Sequence, residues 1–230
     1  MEERKFVKFK EEELGIKEYI KENLGKGKIS EIKIEYTPVG EKLIVSTNKP
    51  GIVIGRKGSK INELTEVLKK RFKLDNPHIE INEIIDIYLD AQLVADTIAI
   101  NLERRGSMKF KLIAYRMLKD IMNAGALGTE LVLSGKLPSD RARTWRFTQG
   151  YLKKTGHPSK QVKKAMSQEK TISGVVGIKV SILTPDAILE DRIDINDKFK
   201  QKIKENLLEI EKQTSNLTKK VNKKKKGVEK

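Results

Sequence analysis

The sequence predicts an α+β protein built of two domains and a basic tail. An amphipathic stretch leads into paired alternating runs and a glycine-punctuated turn; two helical periods then give way to β-branched alternation; and beyond Pro185 apolar residues thin out while lysine accumulates. The boundaries drawn from these shifts are 1–106, 107–186 and 187–230, and a length of 230 residues suits two cores better than one.

Residues 6–24, FVKFKEEELGIKEYIKENL, set Phe6, Phe9, Leu14, Tyr19, Ile20 and Leu24 at helical intervals among charges, which predicts a helix. In ISEIKIEYTPVGEKLIVST, Ile29, Ile32, Ile34 and Tyr36 come in near alternation, Thr37-Pro38-Val39-Gly40 turns, and Leu43, Val45 and Thr47 alternate strictly. This reads as a β-hairpin. Pro50-Gly51 opens a short helix, and 59–72 is a longer amphipathic one with Ile61, Leu64, Val67, Leu68 and Phe72 on one face. Asn76-Pro77 starts a strand in PHIEINEI. DAQLVADTIAINLERRGS is helical, turns Leu93, Val94, Ile98 and Leu102 to a core, and ends on Arg104-Arg105, where cations suit the helix dipole. MKFKLIAYRMLKDIMNAG is the next helix, which Ser107 can cap and Gly125 can end. GTELVLSGKL, ARTWRFTQGYLKK and GVVGIKVSIL read as strands. In the tail, Phe199, Ile203, Leu207 and Ile210 form a narrow stripe before the lysine-rich end, a pattern expected of a segment disordered when free that folds partly on a partner.

Lysine and arginine number 48 against 32 aspartates and glutamates, a net charge of +16 that points to a polyanionic partner. The charge is clustered. Residues 49–73 hold eight cations and two anions, 134–164 nine and one, and 196–230 twelve and five, while the remainder is net −5. Contact with nucleic acid at several places follows more naturally than a uniformly solvated surface. A membrane partner is not expected, because the most apolar long stretch, IIDIYLDAQLVADTIAINL, carries Asp86, Asp90 and Asp96. MEERKFVKFKEEEL has no apolar signal region, so a cytoplasmic location is the expectation. Cysteine is absent and only His78 and His157 offer imidazole, so no metal, cofactor or catalytic set is expected and the chain reads as a binder rather than an enzyme.

The stretch NKPGIVIGRKGSKINEL concentrates the chemistry of the first basic segment. Gly55 and Gly58 lack a Cβ and let backbone approach a phosphate chain, Arg56, Lys57 and Lys60 attract it, and Ile52, Val53 and Ile54 could line a groove for bases. Helix, two strands, short helix, Gly-x-x-Gly, helix, strand resembles the KH domain in its type II order. The resemblance implies that Ile54 to Gly58, with Lys60, grip the backbone of single-stranded RNA, or else serve to dock the domain on a larger particle.

Further along, Leu-Glu-Arg-Arg at 102–105, Gly-Ala-x-Gly at 125–128, Ser-Gly-Lys-Leu at 134–137, Ala-Arg-Thr at 142–144 and Gly-Ile-Lys-Val at 177–180 stand in order. These motifs are similar to those of the small-subunit ribosomal protein three family, and TPDAILED points to its archaeal branch. The resemblance covers roughly 3–190. It implies an N-terminal type II KH domain and a second α+β ribosomal domain, with small-subunit ribosomal RNA, messenger RNA and neighbouring proteins of the subunit head as partners. Lys109, Lys111, Arg116 and Lys119 then face entering messenger, while Lys136, Arg141, Arg143 and Arg146 contact ribosomal RNA. Leu112 and Tyr115 replace cations of the bacterial helix, which counts against unwinding there. Alternation places Arg141 and Arg143 on one strand face, with Trp145 either in the core or free to stack on a base. Two rivals remain: a free-standing KH regulator of single-stranded RNA, and a DNA-nicking lyase using a lysine Schiff base, for which no particular lysine is singled out.

Overall fold

A computed structural model describes residues 2–37, 40–72, 74, 76–187, 189, 203, 206 and 207. The chain divides into units 1–188 and 189–230. The expected tail, 187–230, lies outside the described residues but for isolated positions.

The first core is a three-stranded sheet under two helices. Strands β1 (Ile29–Thr37) and β2 (Gly40–Thr47) are antiparallel, and β3 (His78–Glu83) runs parallel to β2, which lies in the centre. Alternation drives Leu43, Val45 and Thr47 of β2 inward against Ile16, Ile20 and Leu24 of α1 (Glu2–Leu24) and Leu64 and Leu68 of α3 (Ser59–Phe72). Buried Thr47 is satisfied: its hydroxyl donates to the Lys28 carbonyl (2.6 Å) and accepts from the Lys49 N–H (3.1 Å), fixing the turn into α2 (Pro50–Ile54). Across β2 and β3, the Glu80 carboxylate pairs with Lys42 and raises its pKa by hydrogen bonding and charge. Only the second half of α1 joins this core. Phe6 is 70% exposed and Phe9, Leu14 and Val7 are likewise outside, so the helical spacing there marks a face that the chain's own core leaves open.

The second core is an antiparallel sheet in the order β5-β4-β7-β6, formed by β4 (Gly128–Gly135), β5 (Arg143–Gly150), β6 (Lys163–Thr171) and β7 (Gly174–Leu183). Helices α4 (Ala91–Arg105) and α5 (Phe110–Asn123) cover one face, α4 over β6 and β7, α5 over β4 and β5. Leu131, Leu133, Val176, Ile178, Val180 and Ile182 meet them. On the opposite face Arg146, Val132, Lys179 and Met166 lie in one row across the four strands.

Several expectations change. A boundary at 106 cuts through this core, because Ala91, Val94, Ala95, Ile98, Ala99 and Leu102 of α4 pack with Phe110 and the second sheet. The cores divide between Glu83 and Ala91 instead. Ser107 does not cap α5; residues 107–109 form a 3-10 turn and the helix begins at Phe110. The strand expected through 142–154 stops at Gly150, and β6, KKAMSQEKT, was not foreseen. An edge strand with one face to solvent carries few apolar residues, and lysines on it discourage further pairing.

A polar junction ties the cores together. The Asp90 carboxylate caps α4 through Gln92 N–H (2.9 Å) and pairs with the Ser30 hydroxyl, while buried Asp96 accepts from Gly27 N–H (3.0 Å) and the Gln92 amide (3.1 Å). Lys26 Nζ donates to the Gln168 carbonyl of β6 (3.0 Å).

Candidate nucleic-acid interface

The glycine-rich turn is rebuilt by the structure residue by residue. Helix α2 stops because Gly55 takes φ 74°, its N–H donating to the Gly51 carbonyl (3.0 Å). A Cβ there would lie 2.9 Å from Lys60 Cγ and 3.1 Å from Lys60 N, so geometry and space both require glycine. Arg56–Gly58 forms one 3-10 turn before α3. Within it Lys57 sits at φ 52°, ψ 28°, the one non-glycine residue with positive φ among the described residues. That conformation costs about 1–2 kcal/mol for an L side chain, yet a lysine occupies it. Strain held at an exposed cationic turn is a mark of function.

Arg56, Lys57 and Lys60 are exposed and no anion pairs with them among the described residues. Gly51, Ile52, Gly55, Arg56, Ser59 and Lys60 line an open cleft of about 500 Å³ beside the turn. Ile54, next to Gly55 in the chain, is 39% exposed, but Val53 is fully buried in the first core, so of the three apolar residues expected to line a groove it is removed. The arrangement can do one thing chemically: hold a phosphate chain against glycine backbone with unpaired cations around it.

The second set of expected residues does not form one patch. Arg141 lies in a bend ahead of β5, so it does not share a strand face with Arg143. Arg143 is in β5 on the side of Trp145 and Phe147, while Arg146 points to the opposite face, where its Nε pairs with Glu130 (3.0 Å); Lys154 meets the same carboxylate oxygen at 2.9 Å. Trp145 is a core-edge residue rather than a free platform: its ring lies 5.3 Å from Phe110, its Nε1 donates to the Leu137 carbonyl (3.2 Å), and Lys111 Nζ stands 4.8 Å above it. Lys109, Lys119 and Lys136 are exposed. Leu112 and Tyr115 are 60% and 62% exposed on α5, with the Tyr115 ring edge-on to Phe147 at 5.3 Å. Arg116 lies instead on the side of α5 that faces α4, lining a cleft with Arg105. From the sequence Arg105 suits the helix dipole; only the packing of α4 on α5 brings the two arginines to one cleft.

The family comparisons follow this architecture. The family model described as KH domain matches residues 15–88, and that described as Ribosomal protein S3, C-terminal domain matches 98–182. A protein of Methanocaldococcus jannaschii named small ribosomal subunit protein uS3 is 43% identical over 198 residues, covering 86% of this chain and 94% of its own. The chain belongs to the uS3 family. Proteins of the same name from Methanococcus maripaludis and Methanosphaera stadtmanae are 40% and 37% identical, covering 85% and 86% of this chain and 92% and 78% of theirs. These uS3 relatives are archaeal, as the stretch TPDAILED implied. The gap between the two matched stretches, 89–97, also falls ahead of 106 and at the start of α4.

Proposed function

We propose that this uS3-family chain is a structural constituent of the small ribosomal subunit, bound to ribosomal RNA and neighbouring proteins in the subunit head and acting in the cytoplasm. The observation that carries this reading is that similarity runs through both domains, so the chain resembles a whole subunit protein rather than a KH module with an unrelated partner. Its role is to bind and position RNA, not to catalyse. The turn at Gly55-Arg56-Lys57-Gly58, with Ile54 and Lys60 beside it, faces messenger RNA as it enters; Lys109, Lys111 and Lys119 add basic groups from α5 and the turn before it, and Arg116 adds its own from the side of α5 that faces α4. Lys136, Arg141, Arg143 and Arg146 contact ribosomal RNA. The uncompensated charge of the turn supports the first assignment, since phosphate contact is the interaction those groups lack.

Sedimentation of a lysate tests the reading. The chain is expected to travel with the small subunit and to stay with it through a high-salt wash; a chain that remains in the supernatant throughout would overturn it. Crosslinking from position 56 or 57 in assembled subunits is expected to reach messenger RNA. Borohydride trapping on abasic DNA is expected to yield no covalent product, which tests the nicking alternative directly.

A further inference from the structure

Between α4 and α5, beside the 3-10 turn Ile87–Leu89, lies a cleft of about 190 Å³. Its walls carry Tyr88 from the turn, Asn101 and Arg105 from α4, and Arg116 and Asp120 from α5. Ile113 and Met117, both buried, supply apolar surface at its base. None of the five polar side chains has a hydrogen-bond or ion-pair partner among the described residues. The remaining hydroxyl on the wall, that of Thr97, is already committed to the Leu93 carbonyl at 2.7 Å. Two carboxylates elsewhere are answered within the protein: Asp96 takes two donors and Glu130 takes two cations. In the cleft Tyr88, Arg105 and Arg116 are exposed and Asn101 and Asp120 half-buried, so all five polar groups are open to a ligand arriving from solvent.

The composition of the cleft selects the ligand. Two guanidinium groups alone would suit any phosphate, but Asp120 would repel a simple anion and equally an acidic peptide side chain. A nucleotide accommodates both signs: the phosphate takes an arginine, the apolar base of the cleft takes a ring face, and the carboxylate takes N–H donors from the base edge. Unpaired RNA exposes that whole edge. Guanine alone among the four bases offers two adjacent donors, N1–H and the N2 amino group, together with the O6 and N7 acceptors that arginine or the Asn101 amide can meet. At about 190 Å³ the cleft is smaller than sites for drug-sized ligands and suits a single base. We propose that this cleft is a pocket for one unpaired guanine nucleotide of RNA, held by Asp120 and Asn101 at the base edge and by Arg105 and Arg116 at the phosphate and the O6/N7 side. The pocket rests on the RNA-binding role proposed above and adds a base preference to it.

The full chain can be titrated at low salt with short fluorescent oligouridines carrying one central G, A, C or U. The G oligonucleotide is expected to bind about tenfold more tightly than the others. Asp120→Asn should bring G to the level of the rest while leaving the salt dependence as it was, with an unchanged melting curve as the folding control. Arg105→Ala and Arg116→Ala should weaken all four and reduce the salt slope by about one each. The G preference should persist in the Arg56→Asp/Lys57→Asp protein. Equal binding of all four by the unaltered chain, or a G preference that survives Asp120→Asn, removes the pocket while normal cosedimentation with the subunit keeps the ribosomal role. Loss of binding to every oligonucleotide together with failure to cosediment removes both.

Discussion

The KH turn and the β5 edge carry similar numbers of cations but hold them differently. At the turn Arg56, Lys57 and Lys60 stand on backbone shaped by Gly55 and by a left-handed lysine, and among the described residues no anion pairs with them. At the β5 edge Arg146 is bound to Glu130, which is 12% exposed and shared with Lys154, and Lys111 lies over Trp145. Charge at the turn therefore does little for folding and is available to a ligand. Charge at β5 is partly employed within the domain, so the same substitution has different consequences in the two places.

The sharpest way to break that contrast is through the core of the second domain. Ile98→Ala, at a fully buried position of α4, should destabilise the second domain by about 2–4 kcal/mol in a denaturant melt. Crosslinking of the KH turn to RNA should survive it. A first domain that unfolded in the same transition would mean the two regions are not separately supported. Next in size, Arg56→Asp/Lys57→Asp should weaken single-strand binding about tenfold or more and lower the salt slope by about two. Its melting temperature should stay where it was, because exposed charges contribute little to stability; a clear fall would give the turn the structural role assigned here to β5.

Lys57→Gly separates strain from charge at one residue. Relief of the left-handed conformation should stabilise the protein by about 1 kcal/mol in the melt, while RNA affinity falls for want of the ammonium. If affinity were unchanged, the lysine would not be the reason for the strained turn. The smallest effect belongs to Arg146→Ala, expected to cost about 0.5–1 kcal/mol, since Lys154 remains to pair with Glu130. A larger loss of RNA retention than of stability would move Arg146 into the class of the turn.

Legibility from sequence varied with the range of the interaction concerned. Alternation in β2 and the 3.6-residue period of α3 identified buried faces correctly, because a strand or helix shows its own period whatever it packs against. The same period misled at Phe6, Phe9 and Leu14, which stay exposed, Phe9 meeting only the half-exposed Tyr36 ring at the end of β1 at 4.6 Å among the described ring contacts. β6 gave no signal, because an edge strand between α4 and solvent can be nearly all polar. At the site, Gly55, Arg56, Lys57 and Gly58 could be named in advance since they are neighbours in the chain. Tyr88, Asn101, Arg105, Arg116 and Asp120 could not be grouped, being drawn from three elements up to 32 positions apart.

By itself the sequence determined the α+β class, the family through motifs spaced over the second domain, and the presence of a basic glycine-flanked turn, all of which depend on local pattern and composition. Only the tertiary structure decided that α4 belongs to the second core, that Val53 is inside, that Arg143 and Arg146 face opposite ways, and that Arg105 meets Arg116 across a cleft. Those outcomes turn on which of several apolar faces meet and how two helices align, and a pairing between distant surfaces is written in the free energy of the whole fold rather than in any one stretch of chain.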